Sequence, residues 1–124
     1  MPREFSRSER VADALQREIA ALIRTELNDP RVGLVGVTGV DVSRDLAVAR
    51  VYISFVDERD DLAIEEAIVA LGGAAGYLRT QLASRVRMRS VPALRFFYDS
   101  TAKTGQHLSE LIDRALASDQ KANN

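Results

Sequence analysis

Apolar residues recur every three or four positions near both ends of the chain, which is the spacing of a helix with one buried face. In the first segment these positions are Val11, Leu15, Ile19, Leu22, Ile23 and Leu27. Ser6 and Glu9 have capping-box spacing at its start, and Asn28-Asp29-Pro30 ends it, because proline disfavours helix in the residue before it. Near the other end they are Leu108, Leu111, Ile112, Ala115 and Leu116. The pattern predicts a first and a last helix.

Apolar and polar residues alternate in three shorter segments, as expected for strands with one buried face. The first runs from Val35 to Val42 and changes phase at Thr38-Gly39, where one extra residue in a β-bulge would keep the apolar side chains together. The second runs from Ala49 to Phe55 and follows closely enough to predict an antiparallel hairpin. The third, Leu94 to Tyr98, is separated from the hairpin by a helical segment, so it can run parallel to a neighbour and make the sheet mixed.

Glycines interrupt the helical segment between the second and third strands. Leu62–Leu71 and Tyr77–Met88 have helical character, and three glycines lie between them in the run Gly72-Gly73-Ala74-Ala75-Gly76. Each glycine costs about 1 kcal/mol relative to alanine inside a helix. We therefore predict two helices that meet at a sharp kink formed by Gly73, Ala74, Ala75 and Gly76, with bare backbone exposed there. The predicted order, α-β-β-α-kink-α-β-α, is an α+β domain with a three-stranded mixed sheet packed against helices.

A chain of 124 residues is long enough for one domain whose core needs no metal or disulfide. We predict a single domain over residues 1–117 and a disordered polar tail over residues 118–124. The chain has no cysteine, which excludes disulfides and thiolate metal sites. The first ten residues lack the apolar run of a signal peptide, and no apolar stretch is long enough to span a bilayer. We therefore expect a cytoplasmic protein with no membrane partner.

Charge is strongly segregated along the chain, although the net charge is only -1. Residues 57–66 contain six carboxylates against Arg59 alone, whereas residues 67–98 contain no carboxylate and five arginines. These arginines are Arg79, Arg85, Arg87, Arg89 and Arg95. A helix C-terminus favours nearby arginines in any case, but this does not explain why every acid is missing from so long a segment. The pattern favours an electrostatic footprint for a phosphate backbone.

Catalysis has little support in the sequence. His107 is the only histidine and has no cysteine or signature serine near it, which is typical of a solvent-facing or capping residue. Residues 57–61 lack the central glycine and terminal glutamate of a calcium loop, and no Gly-Lys-Ser/Thr phosphate-binding loop occurs. We predict that the protein is not an enzyme and binds no metal or cofactor.

Two features bear on nucleic-acid binding by other modes. Gly73-Ala74-Ala75-Gly76 is a Gly-x-x-Gly motif, which in KH modules clamps a nucleic-acid backbone but elsewhere serves only close packing. KH loops usually hold a basic residue between the glycines, so the two alanines argue against ordinary single-strand capture. Tyr52 lies on the outer face of the second strand, where it is either a base-stacking platform or simply a good strand former.

The chain resembles bacterial ribosome-binding factor A from about Phe5 to Leu111. The matching pieces are Arg10-Val11, Asp29-Pro30-Arg31-Val32-Gly33, Val42-Ser43-Arg44-Asp45-Leu46 with Ala49 and Val51-Tyr52-Ile53, Ala74-Ala75-Gly76 followed by Arg79, and Arg89-Ser90-Val91-Pro92-Ala93-Leu94-Arg95-Phe96-Phe97-Tyr98-Asp99. The kink motif of that family is Ala-x-Gly, which stands in for the KH Gly-x-x-Gly. The extra Gly72-Gly73 before the kink is a departure from the pattern.

The resemblance implies a type II KH-like domain that is not an enzyme and binds the free 30S ribosomal subunit. Such factors assist late 30S maturation, including 16S rRNA 5′-end processing, and matter most in the cold. Charge rather than a family motif selects the candidate rRNA-binding residues, which are Arg10, Arg79, Arg85, Arg87, Arg89 and Arg95. The expected partners are the 30S subunit and 16S rRNA, with a monomer off the ribosome. The alternatives are a protein-interaction adaptor that uses the acidic loop 57–61 and a generic single-strand RNA-binding KH protein.

Overall fold

A computed structural model describes residues 7–100 of the chain, which form two helices and three strands. In order along the chain these elements are α1 (Arg7–Glu26), β1 (Val35–Val42), β2 (Val48–Phe55), α2 (Asp61–Ala83) and β3 (Ala93–Tyr98). The capping residue Ser6, the predicted last helix, His107 and the predicted polar tail lie outside the described residues. Neither of the two helices is both long and apolar enough to cross a membrane.

The sheet is mixed, as predicted, with strand order β1-β2-β3. β1 pairs antiparallel with β2, and β2 pairs parallel with β3. The register between β1 and β2 shifts between Val37, which faces Ile53, and Gly39, which faces Tyr52. Thr38 is therefore the extra residue, and the predicted β-bulge is confirmed. The bulge returns Val40 and Val42 to the face that packs against the core.

Both helices pack on one face of this sheet. Alternate residues of the strands are buried on that face, and so are the apolar stripes of α1 and α2. The core contains Leu15, Ile19 and Leu22 from α1, Val51 and Ile53 from β2, Leu71, Leu78 and Leu82 from α2, and Leu94 and Phe96 from β3. No helix of residues 7–100 covers the other face, which carries Arg50, Tyr52, Arg95 and Phe97. Residues 7–100 therefore form two layers, one of helices and one of strands, with two different surfaces.

The prediction of two separate helices is wrong, because α2 is one helix from Asp61 to Ala83 that passes through all three glycines. Buried residues lie on both sides of the glycines, with Leu71 before them and Leu78 after them. Burial of a leucine side chain contributes about 1.5–3 kcal/mol, so packing at the two ends offsets the glycine cost. The helix also ends at Ala83, with Ser84 as its C-cap, rather than at Met88 as predicted.

Candidate nucleic-acid interface

An open groove of about 530 Å³ lies between the N-terminal half of α1 and the segment that follows α2. Among residues 7–100 its polar lining consists of five arginines and one carboxylate, namely Arg7, Arg10, Arg17, Arg85, Arg87 and Glu18. Its apolar lining consists of Val11, Ala14, Leu15, Val86 and Met88. We call it the arginine groove.

The spacing of arginines along α1 explains one wall of the groove. Arg7, Arg10 and Arg17 are three and seven residues apart, so successive helical turns place them on one side of the helix. The adjoining stripe of α1 is apolar, and Leu15 is fully buried there. The arginine side chains are thus carried by a helix whose position is fixed by the core.

The other wall is formed by the residues that leave α2. Arg85 and Val86 donate their backbone N–H groups to the carbonyl of Leu82 at 2.9 Å, which holds the chain in a tight turn. Arg85 Nη1 lies 3.5 Å from Glu18 Oε1 of α1, with both side chains more than a third exposed. Such an exposed pair contributes little to stability, about 0–1 kcal/mol. It leaves Arg85 available to a stronger anion.

The charge of the groove is the property that matters for binding. Among residues 7–100 the groove holds five guanidinium groups and one carboxylate. The guanidinium groups repel one another in the absence of a bound anion. A phosphate backbone relieves that repulsion and releases its own counterions. Guanidinium groups also bind phosphate oxygens through two parallel N–H donors, which lysine cannot do.

Three of the six arginines proposed from the sequence, Arg10, Arg85 and Arg87, come together in this groove. Arg89 is exposed in the loop between α2 and β3. Arg95 lies on the outer face of the sheet, away from both helices. The six therefore do not form one surface.

Arg79 has a structural contact that charge counting did not reveal. Its Nε donates to the carbonyl oxygen of Val91 at 2.8 Å, which ties α2 to the loop that enters β3. Val91 and Pro92 are buried, so this bond helps to set the position of the third strand. Any contact of Arg79 with RNA would use the remaining nitrogen atoms of the guanidinium group.

Arg7 and Arg17 were not predicted, although Arg10 on the same helix was, because the charge pattern pointed mainly to the acid-free segment 67–98. On α1 arginines and acids alternate along the chain, and the segment looks neutral when its charges are summed. Their three- and seven-residue spacing on a predicted helix was the signal that would have identified them.

The glycine cluster presents bare backbone on the surface of α2. Gly72, Gly73 and Gly76 are exposed, and an added Cβ at any of them would meet no atom within 4 Å outside the helix itself. Ala74 and Ala75 face the other way and pack against the core. The alanines are therefore core residues, and the glycines are the ones available for close approach by a ligand.

The acidic loop at residues 57–61 is held together by its one arginine. Arg59 stacks over the ring of Phe55 at 4.2 Å and donates to the carbonyl oxygens of Arg31 and Val32, each at 2.8 Å. Its Nε also donates to the Asp57 carboxylate at about 3.0 Å. Asp60 accepts a bond from Ala63 N at 2.8 Å and caps α2. Two of the four carboxylates in the loop thus have roles within the fold, which weakens the interpretation of the loop as a docking site.

We expect Arg59→Lys to lower the free energy of unfolding by about 2–4 kcal/mol, because an ammonium group cannot stack on Phe55 and reach both carbonyls as the guanidinium fork does. Urea unfolding followed by circular dichroism measures this change. Arg44→Lys in the exposed hairpin turn is the matched control and should shift stability by no more than about 0.5 kcal/mol. Equal effects of the two substitutions would contradict the proposed role of Arg59.

Hydrogen bonds to ionised carboxylates lower the pKa of three aspartates below the ordinary value of 3.8. The side chain of Arg31 is the main cause for Asp29, the Ser43 hydroxyl for Asp45, and the side chain of Arg59 for Asp57. All three groups are solvent-exposed. The bonds at Asp29 and Asp45 fix the two turns that flank β1.

These shifts predict a loss of stability in acid. A carboxylate with a lowered folded-state pKa stabilises the fold above its unfolded-state pKa, and this contribution disappears as the pH falls through the folded-state pKa. We expect the urea midpoint of the wild type to fall steadily below about pH 4. Asp57→Asn should lower the midpoint at pH 7 and flatten its dependence on pH in the acid range. Parallel curves for the two proteins would contradict this assignment.

The arrangement of charges in the groove suits the binding of anions. Among residues 7–100 no three histidine, cysteine, aspartate or glutamate side chains are placed to hold a metal ion. Apart from the Glu18 carboxylate, the charged groups of the described lining are guanidinium groups, which do not exchange protons at neutral pH. What the groove can do chemically is bind and orient phosphate groups.

Comparisons with known proteins point to one family. The family model described as ribosome-binding factor A matches residues 7–112. The ribosome-binding factor A of Saccharophagus degradans is 53% identical over 98% of this chain and 94% of its own length, and that of Pseudomonas fluorescens is 48% identical over 98% and 91%.

Solved structures give the same answer. The crystal structure of ribosome-binding factor A from Thermus thermophilus has 35% identity and a TM-score of 0.64 over 75% of this chain and 97% of that one. A homology model of the Thermus thermophilus factor fitted into a cryo-EM map of a 30S–RbfA complex has 38% identity and a TM-score of 0.58 over 69% of this chain and 88% of that one.

Proposed function

Because the chain belongs to the ribosome-binding factor A family, we propose that it binds the free 30S ribosomal subunit and contacts 16S rRNA through the arginine groove. The related Thermus thermophilus factor has been fitted into a 30S complex, which supports the subunit as the partner. The single observation that supports the groove as the contact is its lining of five arginines against one carboxylate.

The groove suits structured RNA better than it suits a small anion. Its arginines come from two separate elements, three from α1 and two from the segment after α2. Such a distribution matches successive phosphates along a nucleic-acid backbone. Contacts of this kind position a protein on RNA without reading its sequence. Apart from Glu18, the rest of the described lining is apolar.

We assign to this binding a role in late 30S maturation, including formation of the 16S rRNA 5′ end and with its largest effect in the cold. The proposed role is not enzymatic. A protein that binds one rRNA conformation more tightly than others raises its population by the difference in binding free energy, and no chemical step is required. In this proposal the protein acts in the cytoplasm and is a monomer off the ribosome.

Co-sedimentation with purified ribosomal particles tests the proposal. The full chain is mixed with 30S subunits, 50S subunits or 70S ribosomes at about 100 mM salt and centrifuged through sucrose. We expect it to pellet with 30S subunits and to remain in the supernatant with the other two. If equal amounts of the protein pelleted with 50S and 30S subunits, the binding would be a general attraction between arginine and RNA, and the proposal would be overturned.

The maturation role has its own test. A bacterial strain that lacks its own family member is complemented with this chain or with an empty vector, and 16S rRNA 5′ ends are mapped by primer extension after growth in the cold. The chain should restore the mature end, while the empty vector leaves the precursor. If the chain binds 30S subunits but leaves the precursor unchanged, the maturation role is wrong and the binding proposal stands.

A further inference from the structure

The outer face of the sheet carries two aromatic side chains side by side. Tyr52 of β2 and Phe97 of β3 are direct partners in the parallel register, and their ring centroids lie 5.9 Å apart with a tilt of 32°. Phe97 is 41% exposed, which is unusual for a phenylalanine on a strand. No helix among residues 7–100 covers these rings.

Two arginines lie beside the rings on the same face. Arg50 and Arg95 are also direct register partners, two positions before Tyr52 and Phe97 on their strands. Arg50 pairs with Asp41 at 3.1 Å, but both side chains are more than half exposed, so the pair is weak. Within residues 7–100 Arg95 makes no ion pair. An incoming phosphate therefore has two guanidinium groups to bind.

The remaining strand of the sheet, β1, has a glycine and therefore no side chain next to Tyr52. Gly39 of β1 is the register partner of Tyr52, and a Cβ added there would meet no atom within 4 Å. Gly39 does not have a positive φ, so the backbone conformation does not demand glycine. Glycine weakens a strand and marks either a bulge, such as the one between Val37 and Gly39, or a place where another molecule approaches closely. Among residues 7–100 nothing fills the space next to Gly39, the register partner of Tyr52.

We infer that this surface is a second RNA-binding site, on which unpaired bases stack on Tyr52 and Phe97 while Arg50 and Arg95 bind the flanking phosphates. Exposed aromatics on a sheet are how other RNA-binding modules hold two or three bases of a single strand. Stacking of this kind tolerates any base, because every base has a π-face. The inference rests on the proposed function only for naming the strand as rRNA.

This site differs from the arginine groove in what it binds. Among the residues that the structure describes, the lining of the groove includes no aromatic side chain, and it suits backbone phosphates whether the RNA is paired or not. The sheet face offers rings and suits bases that are not already stacked in a helix. Because the two lie on different layers of the domain, one protein can hold a helical region and an adjacent single strand together.

Fluorescence anisotropy with two RNA probes tests the inference on the full chain. The probes are a fluorescein-labelled single-stranded decamer of mixed sequence and a labelled hairpin with a fully paired stem. Phe97→Ala should weaken decamer binding by about 5- to 150-fold and leave hairpin binding within about two-fold. Leu62→Ala removes an exposed apolar side chain from the acidic start of α2 and should change neither probe.

Gly39→Val gives an independent variant that keeps both rings. Valine is a better strand former than glycine, so the urea midpoint should stay the same or rise. Its side chain would fill the open space beside Tyr52 and weaken decamer binding about ten-fold or more, within the range for one stacked base.

Decamer affinity within two-fold of wild type for both Phe97→Ala and Gly39→Val would overturn the inference. Such unchanged decamer affinity is also what occupation of the sheet face by residues 101–124 or by a protein partner would produce, and the inference would then be wrong. Wild-type co-sedimentation with 30S subunits is measured in parallel. If the wild type binds 30S subunits but the two substitutions do not change decamer affinity, only the sheet site is wrong. If the wild type does not bind 30S subunits, the proposed function is wrong.

Discussion

The double variant Arg10→Glu/Arg87→Glu is expected to bind 30S subunits about 100-fold or more weakly than the wild type. The two residues lie on opposite walls of the arginine groove, one on α1 and one after α2. Each substitution removes a charge-assisted hydrogen bond of about 1.5–3 kcal/mol and adds repulsion against the phosphates. Equilibrium binding of labelled protein to purified 30S subunits measures the loss.

Arg24→Glu/Arg44→Glu is the matched control for this variant. Arg24 and Arg44 are exposed outside the groove, so the control changes the net charge by the same amount without touching the site. It should lower 30S affinity by no more than a few-fold through the long-range field. Equal losses in the two double variants would mean that overall charge, rather than the groove, determines binding.

Salt dependence gives the same prediction in a second form. If all five groove arginines bind phosphates, the logarithm of affinity should fall with the logarithm of salt concentration at a slope of about 4. A change from 50 to 200 mM salt would then weaken binding by about 200-fold. In the Arg10→Glu/Arg87→Glu variant the slope should drop by about 1.5 or more.

Replacing Gly72, Gly73 and Gly76 by alanine together is expected to raise the free energy of unfolding by about 3 kcal/mol. The helix is continuous through all three positions, and open space surrounds each added Cβ. Alanine gains about 1 kcal/mol of helix propensity at each position, partly by restricting the unfolded chain. Urea unfolding at neutral pH measures the gain.

The same variant tests why the glycines are there. If the bare backbone of α2 lies against rRNA, the three methyl groups should weaken 30S binding while the domain becomes more stable. Ala74→Gly is the reverse control and should destabilise the domain by about 1 kcal/mol or more, since Ala74 also packs against the core. A triple variant that is less stable than the wild type would contradict the observed continuity of α2.

Local patterns predicted most of the fold because each rests on a short-range rule. The phase change at Thr38-Gly39 predicted the bulge, since a shift of one residue would otherwise move every apolar side chain to the wrong face. The helical segment before Leu94 predicted a parallel pairing with an earlier strand. Both are confirmed by the strand registers.

The same short-range rules could not predict that α2 is continuous. Glycine propensity acts locally, whereas the packing that overrides it comes from α1 and the sheet. Leu71 and Leu78 lie on opposite sides of the cluster, and both are fully buried in the shared core. A sequence shows that these positions are apolar but not that both ends of the segment pack on the same surface.

The candidate site was predicted in part for a related reason. Arg85 and Arg87 were found from their charge, yet the wall opposite them comes from α1, whose arginines are interspersed with acids. Arg79 and Arg95 belong to the same charged stretch of sequence but have other positions, one bonded to Val91 and one on the outer sheet face. Charge along the chain does not reveal which face a helix or a strand presents.

Ultraviolet cross-linking tests most directly whether the arginine groove lies against rRNA. The full chain is bound to 30S subunits, irradiated with ultraviolet light and digested, and the peptides that carry RNA are identified by mass spectrometry. Cross-linked peptides are expected from residues 7–17 and 84–89, the two walls of the groove. Cross-links confined to residues 57–66, with none from either wall, would show that the acidic side of the molecule faces the subunit and would contradict the account.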